Sequence, residues 1–240
     1  MLIDSHAIVL SKLKYKDYDL IVRCYTLHRG TVSYLVKGGL KNTKSRASKS
    51  IYFQPLSQIQ IIENFREGQS LQYFKEVKAG YIYKTLHTNV YKSAIVLFLS
   101  EVLNSALKEE ERNLELYEFI EHAFKYLDDE SNFSNFHLLF LLKLTRYLGF
   151  QPEKPSKNSN YFNLLKGYFE ATSSDIYSIS GKNLTLLKTF LGINFDAINE
   201  VKLASTERQD FLNMLLYYFE LHLGNFKKLK SLKILNDVFH

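Results

Sequence analysis

The chain has one cysteine, Cys24, in 240 residues, so it can form no internal disulfide and offers no cysteine framework for a metal. It has no tryptophan and only three prolines. No run of 18 or more uncharged apolar residues occurs, which argues against a membrane-spanning helix. The opening Met-Leu-Ile-Asp-Ser-His lacks the positive stretch and apolar block of a secretory signal, and a cytoplasmic location is expected. Catalytic signatures are missing too. The histidines at 6, 28, 87, 122, 137, 222 and 240 are scattered, with no HExxH or other metal-ligand spacing. Lys37-Gly38-Gly39 lacks the flanks of a phosphate-cradling P-loop, and Ser180-Gly181 is not embedded in GxSxG. Asp17 and Asp19 are paired carboxylates that read as fixing a turn, and Glu109-Glu110-Glu111 reads as a solvated face. These gaps lead to the expectation of a protein without catalytic residues, cofactor or metal.

What the chain does have is an uneven distribution of charge. Residues 1–80 hold 13 Lys or Arg and 6 Asp or Glu, 13 − 6 = +7, whereas the remaining 160 hold 18 and 19, or −1. Such asymmetry points to a polyanionic partner, nucleic acid first. From Leu20 to Ile62 there is no acid, but seven bases: Arg23, Arg29, Lys37, Lys41, Lys44, Arg46 and Lys49. Five of them fall in 37–49 (KGGLKNTKSRASK), where two glycines would let a loop bend its N–H groups, ammonium groups and the Arg46 fork toward phosphates. The expectation is that all seven cations gather on one side of the domain. Tyr25, Tyr34, Tyr52 and Phe53 are the aromatic candidates for stacking on bases, with Tyr34 the one carried forward with the cations as a binding residue. No recognition helix or RNP-like motif appears, so the binding should be salt-sensitive and largely indifferent to sequence.

Hydrophobic periodicity divides the chain. Residues 6–13, 19–27, 31–37, 52–63 and 71–77 alternate or are β-branched. Residues 19–37 make a hairpin around His28-Arg29-Gly30. Five short strands in one basic segment predict an OB-type barrel over 1–80, since closure removes exposed edges. From about residue 81 the period becomes helical over 90–107, 112–128, 136–148, 183–191 and 206–223, so 81–240 is expected to be a helical domain. Ser134 or Asn135 is placed to cap the third of these helices, and Gly149 to end it. Residues 150–181 read as a long loop or irregular insertion. The basic tail keeps Leu229, Leu232 and Leu235 for packing. The fold class is therefore α+β, a five-stranded barrel followed by helices.

Several segments together resemble the bacterial recombination mediator family RecO. They are HAIVLSKLKYKDYDLIVRCYTLHRGTVSYLVKGG from residue 6, KSR at 44–46, FQPL at 53–56, LGFQP at 148–152 and YYFELHLGNFKKLKSLKIL at 217–235. The resemblance covers nearly the whole chain in order. It implies an N-terminal OB-fold, a helical C-terminal domain and, in many members, a zinc-binding insertion. It also implies binding of single- and double-stranded DNA at the nucleoid, strand annealing, and cooperation with RecR in loading RecA onto strands coated by single-strand-binding protein, whose C-terminal tail docks on the helical domain. Lys37, Gly38, Ser45 and Arg46 match the family's basic loop. Arg112, Lys143 and Arg146 are candidates to meet the acidic tail. The chain departs from the family at 150–181, which has no cysteine or histidine cluster, so zinc is not expected there. Two further readings stay open on the residues alone: a peptide-docking adaptor whose helical domain is the main surface, and an enzyme whose site is assembled from dispersed residues.

Overall fold

The computed structural model describes residues 2–41, 49–107, 112–156, 159–226 and 229–239; Lys44 and Arg46 lie outside them. The chain forms two compact units, Met1–Asp129 with Leu229–Leu235, and Glu130–Lys228 with Asn236–His240.

In the first unit, β1 (Leu2–Tyr15), β2 (Asp19–Thr26), β3 (Gly30–Val36), β4 (Gln58–Asn64) and β5 (Gln72–Ala79) close into a barrel of order β1-β2-β3-β5-β4. Closure depends on the length of β1, whose N-terminal half pairs with β4 and whose C-terminal half pairs with β2. A bulge between Val9 and Ser11 bends the strand from one partner to the other. The β2–β3 hairpin turns at Gly30, whose φ of +62° suits a residue without Cβ. Strand alternation then sends Leu20, Val22 and Cys24 inward with Val32, Tyr34 and Val36, against Ile59 and Ile61. The run at 52–63 was expected to be extended throughout. Instead, residues Lys49–Phe53 form a 3-10 turn and the strand begins at Gln58. Phe53 has no exposed surface and is part of the barrel core, while Leu56 takes a positive φ of 58°.

Two helices complete this unit, α1 (Val90–Ala106) and α2 (Leu114–Asp129). The Asn89 side chain caps α1, accepting from the N–H groups of Tyr91 and Lys92 at 3.0 and 3.2 Å. The buried Asp128 carboxylate accepts the N–H groups of Lys84, Thr85 and Leu86 at 2.8 Å each. The change of hydrophobic period near 80 thus marks where strands give way to helices, while the compact unit holding the barrel runs on to Asp129.

The second unit is built on α3 (Phe136–Tyr147), apolar nearly all round and buried as its sequence requires, with α4 (Gly181–Leu191) and α5 (Ser205–Leu223). Gly149, at φ +84°, ends the α3 segment. Asn135 stands at the α3 N-cap, but its side chain does not cap; it donates to Val201 O at 2.7 Å and accepts from Arg208 Nε at 3.0 Å. The segment expected to be irregular contains a small sheet of β6 (Tyr161–Asn163), β7 (Tyr168–Glu170) and β8 (Ser178–Ile179), in the order β7-β6-β8. A last helix, α6 (Ser231–Phe239), covers the stretch of the tail in which only apolar packing positions were expected.

Candidate nucleic-acid interface

Of the expected cations among the described residues, two are committed within the protein. Arg23 projects outward from β2, but its guanidinium donates from Nη1 to Asn104 O at 2.8 Å and from Nη2 to Leu107 O at 2.6 Å. It satisfies carbonyls left without partners at the end of α1. Its burial lowers its pKa. Arg29 is held by Glu63, with Nε 3.2 Å from Oε1 and Nη2 on Oε2, and lies 4.3 Å over the ring of Phe65. The Glu63 side chain is only 2 % exposed, so this pair is an element of the barrel rather than a free charge. Both guanidinium groups are thus engaged within the protein, where free cations were expected.

Tyr34 is also corrected. It has no exposed surface and stacks inside the barrel on Phe74, centroids 4.1 Å apart and planes 17° apart. No base can reach it, and burial pushes its hydroxyl pKa well up. Tyr25 and Phe53 are buried as well, with Tyr25 stacked on Tyr117, and only Tyr52 among the four aromatics is partly exposed. The loop glycines do not form an open cradle. Gly38 N–H is taken by the Asp19 carboxylate at 2.7 Å, and Gly39 N–H by Val36 O at 3.2 Å. Asp19 therefore does the turn-fixing expected of it.

Lys37 and Lys41 remain, exposed where the chain leaves β3, with Lys49 partly exposed at the start of the 3-10 turn. Lys37 Nζ lies 5.7 Å over the ring of Tyr73, and Lys41 Nζ 5.5 Å over that of Tyr18. The structure adds three cations that the search for an acid-free stretch passed over: Lys12, Lys14 and Lys16, all exposed at the end of β1 and its turn into β2. The turn and the β3 exit are joined by the Leu40 N–H to Tyr18 O bond of 2.9 Å and by the Asp19–Gly38 bond. None of these five lysines forms a salt bridge with a carboxylate among the described residues. Asp17 and Asp19 share their turn, so these seven residues together carry 5 − 2 = +3. The missed signal was in the sequence: Lys12, Lys14 and Lys16 alternate at the spacing that lines residues up on one side of a strand, but Asp17 and Asp19 follow at once and kept them out of the acid-free stretch.

Comparison with known proteins fits this architecture in both halves. Residues 1–83 match the family model for the N-terminal part of recombination protein O, and residues 87–233 match that for its C-terminal part. The chain belongs to the RecO family. Similar curated RecO proteins, each named DNA repair protein RecO, include those of Christiangramia forsetii, 50 % identical, Flavobacterium johnsoniae, 40 % identical, and Phocaeicola vulgatus, 33 % identical. All three alignments cover 100 % of this chain and 100 % of the relative.

The zinc that the RecO resemblance implies for many members does not fit the residues present. The Asn163 side chain ties the small sheet together, donating to Ser174 Oγ at 3.1 Å and Asp175 Oδ1 at 2.9 Å and accepting the Leu165 and Lys166 N–H groups. The Lys166 ammonium lies 3.6 Å from Glu170 and 3.5 Å from Asp175, placing a cation against both carboxylates. These hard oxygen donors, already paired with an ammonium, are no substitute for thiolate and imidazole ligands. Among the described residues no group of three or more His, Cys, Asp or Glu is arranged to hold a metal, and no helix is long and apolar enough to cross a membrane.

Proposed function

We propose that this RecO-family chain acts in DNA repair as a recombination mediator. In this reading the barrel binds single- and double-stranded DNA and promotes annealing. With RecR, the protein helps load RecA onto strands coated by single-strand-binding protein. It does so in the cytoplasm, at the nucleoid, by binding alone, without a cofactor or covalent chemistry. The observation that carries the reading is the group of Lys12, Lys14, Lys16, Lys37 and Lys41 at one end of the barrel, exposed and unpaired with described carboxylates. Lysines so placed contact phosphates and release counterions, which makes affinity depend steeply on salt and little on sequence. Lys44, Arg46 and Lys49 belong to the same basic loop and are included in the proposed contact set.

The helical unit has one feature suited to the acidic tail of a coating protein. A cavity of about 180 Å³ lined by polar and aliphatic residues, with Lys202 and Arg208 at its wall, has room for a carboxylate. Arg208 is braced by Asn135 and by Leu203 O at 3.2 Å. The same cavity would serve the peptide-docking adaptor, so the two readings part at the barrel.

Fluorescence anisotropy with a labelled oligonucleotide over a salt series tests the proposal. Lys37→Gln with Lys41→Gln should weaken binding to every sequence alike and flatten the log–log salt slope by roughly 1.4 on a single strand, about 0.7 per lost contact. An unchanged slope would remove these lysines from the interface, and no binding by the wild type at low salt would leave the adaptor reading in its place.

A further inference from the structure

The outer face of β1, β2, β3 and β5 is divided into a closed half and an open half. Near the β2–β3 turn, Arg23 is opposite Ser33 and Tyr25 opposite Thr31. This half is covered by the end of α1 and the segment after it. Arg23 bonds to Asn104 O and Leu107 O, Thr31 Oγ1 to Leu107 O at 3.3 Å, and Tyr25 OH to Asn113 O at 3.3 Å. Tyr25 and Thr31 are only 3 % and 5 % exposed as a result. Toward the β1–β2 turn the same face carries one row in register across four strands, Leu13 opposite Ile21, Ile21 opposite Leu35, and Leu35 opposite Tyr73. Leu13 is 66 % exposed, and Ile21, Leu35 and Tyr73 are partly so. Tyr15, two residues beyond Leu13 and on the same face, and Tyr18 in the turn are exposed beside the row.

We infer that this open row receives the unpaired bases of a single strand, with Tyr15, Tyr18 and Tyr73 as stacking surfaces, and that it distinguishes a single strand from a duplex. The inference rests on the DNA-binding reading above and deepens it. Each tyrosine has a lysine ammonium 5.4 to 5.7 Å from its ring, Lys16 at Tyr15, Lys41 at Tyr18 and Lys37 at Tyr73. A nucleotide presents the complement of such a couple, a flat π-face for the ring and a phosphate for the ammonium. The row spans three strand spacings of roughly 4.8 Å, about 14 Å in all, the length of a few stacked nucleotides. Base faces are hidden inside a duplex, so a duplex can engage the lysines but not the row. Because α1 closes the other half, a strand on this face must run at the β1–β2 turn and the β3 exit, where the lysines stand.

The full-length chain tests this with a labelled single-stranded oligonucleotide and the same sequence as a duplex, compared by anisotropy. Tyr15→Ala with Tyr18→Ala should weaken single-strand binding roughly tenfold or more, since two stacking faces are lost. Duplex binding should change less than twofold. Tyr15→Phe with Tyr18→Phe keeps both π-faces and should restore single-strand affinity, which also shows that loss in the alanine variant is not misfolding. An alanine variant that binds single strands like the wild type overturns the inference, as does one that loses single strand and duplex in equal proportion. Wild-type protein that binds neither substrate would instead overturn the DNA-binding reading beneath it.

Discussion

Arg29 and Arg23 show that a positive charge in the sequence is not yet a charge free to meet a partner. Glu63 lies just outside the acid-free stretch, on β4, and barrel closure delivers it to Arg29. Arg29→Ala should therefore destabilise the barrel by about 3 kcal/mol, toward the lower end for breaking a buried pair because the Arg29 side chain keeps 24 % of its surface. Urea unfolding would measure it. Arg23→Ala should lower stability by about 1.5–3 kcal/mol through lost charge-assisted bonds to Asn104 and Leu107. Its DNA salt slope should stay that of the wild type. His137 makes a case in the second unit. Burial, and then the charge of Arg208, lower its pKa from 6.5 to about 3. The unfolded chain therefore binds a proton that the folded one refuses across that interval. Stability conferred by keeping His137 neutral is complete above the unfolded pKa and falls as pH drops from about 6.5 toward 3, by at most about 1.4 kcal/mol per pH unit. Urea midpoints between pH 7 and 5 should show this decline, and His137→Leu should flatten it.

At the scale of elements, ends and junctions are held by single polar side chains that replace missing backbone partners. Asp128, at the end of α2, collects three N–H groups from 84–86, while its carbonyl receives the Lys92 ammonium at 2.8 Å. Burial alone would raise its pKa, but the hydrogen bonds from Lys84, Thr85 and Leu86 outweigh it and the pKa falls below its ordinary value. Its contribution is thus present above the ordinary carboxylate range and lost as pH falls through the lowered folded value. Asp128→Ala leaves three donors without their acceptor and should cost about 3 kcal/mol or more at neutral pH, with a shallower acid limb in the same unfolding series. Glu101 works similarly on α6, accepting the Lys230 and Ser231 N–H groups at 3.0 and 2.8 Å. Periodicity made α1 and α2 legible, since an apolar stripe at 3.6 residues per turn survives any context, whereas the nine-residue α6 was not read as a helix. The 3-10 turn at 49–53 was not legible, because Phe53 is as apolar as a strand residue and its place in the barrel core is a matter of closure.

At the scale of the molecule, the expectation of an N-terminal OB-type barrel followed by helices matches the observed architecture and the RecO family to which the chain belongs. The small β6–β8 sheet was expected only as an irregular insertion, because its strands are two or three residues long, too short to show an alternation. Dialysis against a chelator should leave the thermal midpoint unchanged, whereas Asn163→Ala should lower it, as differential scanning calorimetry would register.

The amino-acid sequence alone determined the barrel, the helices, the surplus of positive charge in the first third and the unfitness of 150–181 for zinc, because periodicity, net charge and ligand chemistry are properties of the chain itself. Only the tertiary structure decided which cations and aromatics are free. Barrel closure buried Tyr34, the approach of α1 engaged Arg23, and the pairing of β1 with β2 left Lys12, Lys14 and Lys16 in solvent. The physical reason is that availability depends on residues distant in sequence, and only folding brings a donor and its acceptor within bonding distance.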